Sequence, residues 1–232
     1  MRQQPYKKFA YFYDTIYRGR FYNDYTVFIT KIIKERRIKK PSILDIACGT
    51  GLLIKNLKKK FQLIEGLDSS KEMLAIAKEK NKGIKFYNQS MINFNIRKKY
   101  NIIVCTFDSI NYITNKKNLW SVFRSVSAHL SHRGIFIFDF NTVNKKIMSK
   151  FTKGNITYFN EIKDKLWSIV LEIKVEGKTY RETHQERFYS LGDMRLALRK
   201  NKFKIVNAYS SFNKKIGAAD KYGRIFIVAE KI

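Results

Sequence analysis

A chain of 232 residues, 44% of them hydrophobic and 15% aromatic, is long enough for one domain with a full core. No apolar run reaches the length of a membrane-spanning helix. The formal net charge of +28 favours anionic partners, nucleic acid above all.

That charge has a plainer reading. The lysines are scattered, as in Lys58-Lys59-Lys60, Lys98-Lys99 and Lys145-Lys146, with no basic–aromatic interleave. Abundant lysine, isoleucine and asparagine are what an AT-rich coding sequence produces, and this compositional reading is preferred here. The N-terminus, Met1 to Lys8, holds no apolar stretch of the signal-peptide kind. The two cysteines, Cys48 and Cys105, fall at predicted strand ends as small buried filler. Together these features predict a protein of the reducing cytoplasm.

In chain order, Phe9 to Tyr17 is aromatic-rich, and on a helix Tyr13 and Tyr17 share a face. Helical spacing of Val27, Phe28, Ile32 and Ile33 predicts a helix over Asp24 to Lys40, which Pro41-Ser42 ends. Ile43 to Gly51 then begins as an apolar strand and ends in two glycines one residue apart, directly before the helical Leu52 to Leu57. A second apolar run, Phe61 to Leu67, ends in Asp68, whose carboxylate is placed to accept hydrogen bonds from ribose hydroxyls. The unit is therefore a β-α-β nucleoside site.

Further along, a helix over Ser70 to Lys80 is capped by Ser69 or Ser70, and Ile84 to Tyr87 is a short strand. Tyr100 to Phe107 is a buried parallel strand that ends in Phe107-Asp108-Ser109-Ile110-Asn111-Tyr112. A helix over Asn115 to Leu130 and a strand over Ile135 to Phe140 complete the alternating part. The pattern then changes to three extended segments, Ile156 to Ile162, Leu166 to Val175 and Thr179 to Phe188. Hairpin turns are predicted at Lys163-Asp164-Lys165 and Glu176-Gly177-Lys178. Leu191 to Asn201 reads as a helix capped by Ser190, and Phe203 to Phe212 and Arg224 to Ile232 as two final strands.

The glycine turn is not a dinucleotide fingerprint, because no third glycine follows Gly51, and it is not a P-loop. Asp45, inside the strand end, would repel a pyrophosphate and suits a cation. The nucleoside with a cationic centre is S-adenosylmethionine. Ile43 to Gly51, with Gly66 to Leu74, resembles motifs I and II of class I S-adenosylmethionine-dependent methyltransferases. The resemblance covers nearly the whole chain, strongly to about Asn141 and more loosely beyond.

The resemblance implies an α/β, Rossmann-like, seven-stranded doubly wound and mostly parallel sheet with an antiparallel β insert after strand 5. It implies a single domain over 1–232. Residues 1–40 form N-terminal lid and helices, 41–142 the cofactor-binding core, 143–188 the β insert, and 189–232 a helix and β-hairpin. By position, Asp45, Ala47, Gly49 and Gly51 would hold the amino-acid part of the cofactor and Asp68 its ribose. Ser69, Met73, Ser90 and Met91 would border the adenine, although Ser90 stands where the family often has an acid. Phe107 would lie beside the methionine portion.

The segment after Phe107 is not the N-P-P-Y or D-P-P-Y of nucleobase amino-methyltransferases; it resembles small-molecule N- and O-methyltransferases. In aminosugar N-methyltransferases a histidine falls where Tyr112 stands. On the acceptor side Tyr17, Tyr112 and His184 are catalytic candidates, and Tyr13, Asn111 and Arg187 substrate-binding candidates. Strand alternation puts Glu182, His184 and Glu186 on one face, with Gln185 and Arg187 on the other. His129 and His132 are read as structural, at a helix end where a positive ring suits the dipole, and no metal constellation is visible.

The expected activity is methyl transfer to a nitrogen or oxygen of a small molecule by direct displacement. The alternatives are an RNA or tRNA methyltransferase, suggested by charge alone, and a non-catalytic binder of the same fold.

Overall fold

The computed structural model describes residues 5–17, 19–216 and 221–232. Its centre is an eight-stranded sheet of order β11-β10-β12-β5-β4-β1-β2-β3. The strands are β1 (Ser42–Ile46), β2 (Leu63–Asp68), β3 (Lys85–Asn88), β4 (Tyr100–Cys105) and β5 (Leu130–Asn141), which run parallel. At one edge β12 (Arg224–Lys231) runs antiparallel to β5; β10 (Phe203–Ser211) is antiparallel to β12, and so shares the direction of the parallel set, and the two-residue β11 (Lys214–Lys215) is antiparallel to β10. The expected seven strands are all there; Lys214–Lys215 adds an eighth too short to carry a hydrophobic pattern.

Alternation along the strands explains why helices cover both faces. Ile43, Ile102, Val104, Ile135 and Ile137 enter one core, while Leu44, Ile46, Ile103, Cys105, Phe136 and Phe138 enter the other. The first is closed by α2 (Arg20–Glu35), α3 (Leu52–Leu57) and α4 (Lys71–Lys80). The second is closed by α5 (Lys116–His129) and α6 (Leu191–Lys200). Ser70 and Asn115 cap α4 and α5 through their side-chain oxygens, and Ser190 with Asp193 forms a capping box on α6. α2 begins at Arg20, ahead of the predicted Asp24. Its first turn is Arg-Phe-Tyr-Asn behind an uncapped Gly19, which gives no start signal. Among the described residues no helix is long and apolar enough to cross a membrane.

His129 is corrected. Its Nε2 accepts the Ile96 N–H at 3.0 Å and its Nδ1 pairs with the Ser125 carbonyl at 2.7 Å. Burial lowers its pKa, so the ring sits there neutral rather than as a cation on the helix end. His132 lies on β5, not on the helix, because the strand starts at Leu130 rather than at Ile135.

The insert is a four-stranded antiparallel meander, β6 (Lys150–Lys153), β7 (Ile156–Lys163), β8 (Leu166–Val175) and β9 (Lys178–Arg187). Both predicted hairpins are two-residue turns with positive φ at each position, Asp164-Lys165 and Glu176-Gly177. Its apolar face, Ile169, Leu171 and Ile173, joins the core that α1 (Ala10–Tyr17) also enters. The insert and α1 therefore meet over the carboxyl ends of the parallel strands, where open α/β sheets take ligands.

Candidate active site

The turn after β1 is built on left-handed backbone: φ is +55° at Ala47, +53° at Gly49 and +73° at Gly51. A Cβ at Gly51 would stand 2.6 Å from Asn81 Nδ2 and 3.2 Å from Ala77 Cβ, so only glycine lets α3 start there against α4. The Gly49 N–H donates to Asp68 Oδ2 at 2.8 Å and the Ser70 N–H to Asp68 Oδ1 at 2.8 Å. The carboxylate at the tip of β2 is thereby locked to the glycine turn beside the tip of β1.

Asp45 is 1% exposed, and its Oδ1 has no hydrogen-bond partner. Burial, and then the charge of Asp68, raises its pKa well above the usual carboxylate range. An orphaned buried carboxylate beside backbone N–H groups, with a second carboxylate close by, fits a ligand that carries both positive charge and ribose hydroxyls. Met73 is buried behind the turn, with Sδ 3.9 Å from where a Gly49 Cβ would be. Ser69 is exposed at the start of α4, and Ser90 and Met91 follow β3, where Ser90 Oγ accepts the Ile92 N–H at 3.3 Å.

Beyond β4, Phe107 and Asp108 both have positive φ, +63° and +52°, a conformation that a phenylalanine adopts rarely. It turns the Phe107 ring into a floor on which α1 and α2 rings pack: Tyr22 is stacked at 5.4 Å, and Tyr13 and Tyr17 lie edge-on at 6.3 and 5.1 Å. Above this floor is a cavity of about 380 Å³. α1 contributes Tyr13 and Tyr17, the segment before it Tyr6 and Phe9, and the turn after β4 Asp108 and Tyr112. The loop after β5 contributes Lys145, and the insert Trp167, His184 and Glu186; Arg224 of β12 completes the wall.

Of the sequence candidates, Tyr13, Tyr17, Phe107, Tyr112 and His184 meet in this one cavity. Asn111 and Arg187 do not line it. Asn111 is fully buried, and its amide bonds the Asn141 carbonyl, the Asn141 N–H and the Arg187 carbonyl at 2.7–3.0 Å. Arg187 stands on the opposite face of β9, as its alternation with Glu186 requires.

The three residues on the inner face of β9 are all buried, at 0, 2 and 4% for Glu182, His184 and Glu186. The Tyr6 hydroxyl donates to Tyr112 at 2.6 Å, the Tyr112 hydroxyl meets His184 Nδ1 at 2.9 Å, and His184 Nε2 meets Glu182 at 3.4 Å. Burial raises both tyrosines well above the ordinary phenol pKa. Glu182 also accepts backbone N–H groups of Tyr6, Lys8 and Phe9.

Deeper still lies an ionic cluster that sequence reading missed. Arg224 donates to Asp139 at 2.6 Å and to Asp108 at 2.7 Å. Lys145 Nζ donates to Asn141 at 2.9 Å and reaches Asp108 at 3.5 Å. Tyr25 donates to Asp139, and Asn141 Nδ2 to Asp108. Its bonded partners stand up to 116 residues apart, so spacing gives no sign of them.

Residues 43–134 match a protein-family model described as a methyltransferase domain. An N,N-dimethyltransferase of dTDP-3-amino-3,6-dideoxy-alpha-D-glucopyranose from Streptomyces fradiae is 28% identical over 130 residues, 55% of this chain and 51% of that one. An amino pentose methyltransferase from Micromonospora echinaspora, solved with S-adenosylmethionine bound, has the same fold at TM-score 0.78, 15% identity and 100% coverage of both chains. An S-adenosylmethionine-dependent methyltransferase from Clostridium acetobutylicum superposes at TM-score 0.85 with 30% identity, over 98% of this chain and 99% of that one. At that identity along almost the whole of both chains the likeness goes past fold: the protein belongs to the S-adenosylmethionine-dependent methyltransferases, and S-adenosylmethionine is its cofactor.

Proposed function

We propose that the protein methylates a nitrogen of a small molecule held in the cavity above Phe107. The single observation that supports this most is the cavity itself. At about 380 Å³ it is the size of a small-molecule site, enclosed by the N-terminal segment and the insert. The Streptomyces and Micromonospora relatives act on amino sugars, which supports nitrogen over oxygen.

In this reading Asp45, Ala47, Gly49 and Gly51 hold the amino-acid end of the cofactor. Asp68 takes its ribose, with Ser69, Met73, Ser90 and Met91 around the adenine. Bound there, S-adenosylmethionine supplies an already activated methyl group. The chain then has to align a nucleophile and keep water out. Tyr13 and Tyr17 close the cavity from the α1 side. Tyr112 and His184, which hold each other by a hydrogen bond, orient the acceptor from the opposite side.

Calorimetry of S-adenosylmethionine and S-adenosylhomocysteine binding, on wild type and on Asp68→Ala, tests the cofactor half. Micromolar binding, about −8 kcal/mol, should fall at least about ten-fold in the variant. Mass spectrometry of amines, alcohols and amino-sugar nucleotides incubated with S-adenosylmethionine tests the acceptor half. Methylation of alcohols alone would overturn the nitrogen assignment.

A further inference from the structure

Two carboxylates, Asp108 and Glu186, stand at the inner wall of the cavity together with the cations Arg224, Lys145 and Lys146, and Asp139 lies behind Arg224. Arg224 bridges Asp139 and Asp108, and Lys145 also turns to Asp108. Among the described residues Glu186 has no salt-bridge partner. Its one hydrogen bond is a long one from Asn141 Nδ2, at 3.5 Å, yet the residue is only 4% exposed and faces the cavity. A buried carboxyl lacking its own cation is costly unless a ligand brings one.

Other groups facing the cavity do not compete for that role. His184 has both ring nitrogens engaged, by Tyr112 and by Glu182. The hydroxyls of Tyr6 and Tyr112 are bonded to each other. The remaining wall is aromatic, with Tyr13, Tyr17, Phe107 and Trp167, whose ring faces attract cations.

Resting on the proposed nitrogen transfer, we propose that Glu186 receives the acceptor as an ammonium ion and takes its proton before methyl transfer. The acceptor is therefore an amine of small size. The balance is simple. One N–H bond of R–NH3+ breaks and its proton passes to the Glu186 carboxylate, leaving R–NH2 and a carboxylic acid. The nitrogen lone pair then forms the N–C bond as the methyl–sulfur bond breaks, and that electron pair stays on sulfur. The product leaves as R–NH2–CH3+, and Glu186 returns its proton to solvent.

The groups around Glu186 favour this. Burial, then Asp108, pushes its carboxyl well above the usual glutamate range, while Lys145, Arg224 and the Asn141 amide oppose. Tyr112 and Tyr6, the other titratable neighbours, are held neutral by burial. A carboxylate made more basic in this way is better matched to a proton on nitrogen.

The test uses the full chain saturated with S-adenosylhomocysteine, in a Trp120→Phe background so that Trp167 in the cavity wall is the sole tryptophan reporter. Cyclohexylamine and cyclohexanol are titrated at neutral pH. In wild type the amine should bind at least about ten-fold tighter than the alcohol, ~1.4 kcal/mol. Glu186→Gln should bring the two together, and Glu186→Asp should keep most of the preference. Equal binding in wild type, or a preference that survives Glu186→Gln, overturns the proposal.

Should Glu186→Gln fail to fold, carbodiimide labelling of the wild type, read by peptide mass spectrometry, decides. Cyclohexylamine should protect Glu186 from modification and cyclohexanol should not; equal labelling with and without the amine overturns the proposal. Methyl transfer is scored separately by mass spectrometry. Amine selectivity through Glu186 with methylation of alcohols only would remove the nitrogen reading and leave the amine site standing.

Discussion

At the scale of one residue, Asp45 carries a cost in stability that its proposed place in the cofactor site would account for. Its Oδ1 is buried without a partner, and burial together with Asp68 raises its pKa. The sign follows. A carboxyl whose folded pKa is raised favours the folded state when protonated. That contribution is complete below the unfolded value near 4 and is lost as pH rises through the folded pKa. Asp45→Asn keeps the shape and removes the charge. The cofactor-free variant should melt higher than wild type at neutral pH, by about 2–4 °C per kcal/mol for a domain of this size. The gap should shrink toward pH 4, while affinity for S-adenosylmethionine falls at least about ten-fold, ~1.4 kcal/mol. A scanning calorimeter and a titration on the same samples read both; a variant no more stable than wild type at neutral pH would refute the account. Asp45, the two glycines of the turn and Asp68 were legible in the sequence because they lie within a short local pattern. Glu186 was legible only as a face of a strand. What makes it a candidate, the pairing of Asp108 and Asp139 with Arg224, depends on residues that meet only in the folded sheet.

Among the elements, α1 links the two halves of the site. Glu182 of β9 accepts the N–H groups of Tyr6, Lys8 and Phe9, just ahead of the first turn of α1. Lys153 of β6 donates to the Ile16 carbonyl at the other end. Between them, Asp14 takes the Thr50 hydroxyl at 2.5 Å and pairs with Lys80, reaching the glycine turn and α4. Burial alone would raise the Glu182 pKa, but the His184 hydrogen bond and the Lys8 and Phe9 N–H groups outweigh it and hold the carboxyl low. A depressed pKa gives stability above the unfolded value near 4.3 that is lost as pH falls through the folded one. Protection of the Lys8 and Phe9 amides from hydrogen exchange, relative to the unstructured rate at each pH, should therefore fall below about pH 4 in wild type. In Glu182→Ala exchange should be fast already at neutral pH, because hydrogen bonds to a charged group of about 1.5–3 kcal/mol each are gone. Unchanged protection would mean that the segment is held by its aromatic packing alone. Gly51→Ala tests the other end of the link: with φ at +73° and Asn81 Nδ2 only 2.6 Å away, it should cost about 1–3 kcal/mol in denaturant melts. Long helices and the two hairpins of the insert were readable because period and turn residues agree there. β6 was not: Lys150 to Lys153 carries one aromatic among polar residues, and it is a strand only because β7 lies beside it.

Over the whole molecule, 47 basic side chains face 19 acidic ones. Several of the acidic side chains are already held inside, Asp45, Asp139, Glu182 and Glu186 among them. The outer surface is therefore more one-sided than the composition suggests, and self-repulsion works against the compact state. Raising salt from about 10 mM to about 300 mM shortens the Debye length from about 30 Å to below 10 Å. The melting temperature should rise with it by about 2–8 °C, corresponding to ~1–2 kcal/mol; a fall would mean that surface ion pairs dominate instead. The same surface bears on the RNA alternative. Any evenly basic protein collects RNA, and the log–log salt slope, about −0.7 per single-strand phosphate contact, counts the phosphates it neutralises. Binding of that kind is expected here, indifferent to sequence and weak at physiological salt. The methyl group would still be delivered under the closed N-terminal segment, into a cavity of about 380 Å³ walled by Asp108 and Glu186. Incubation with bulk tRNA and radiolabelled S-adenosylmethionine should therefore give bound RNA on a filter at low salt and no label in the RNA after deproteinisation. Label that stays in the nucleic acid at physiological salt would make the positive surface part of the reaction and displace the small-molecule assignment.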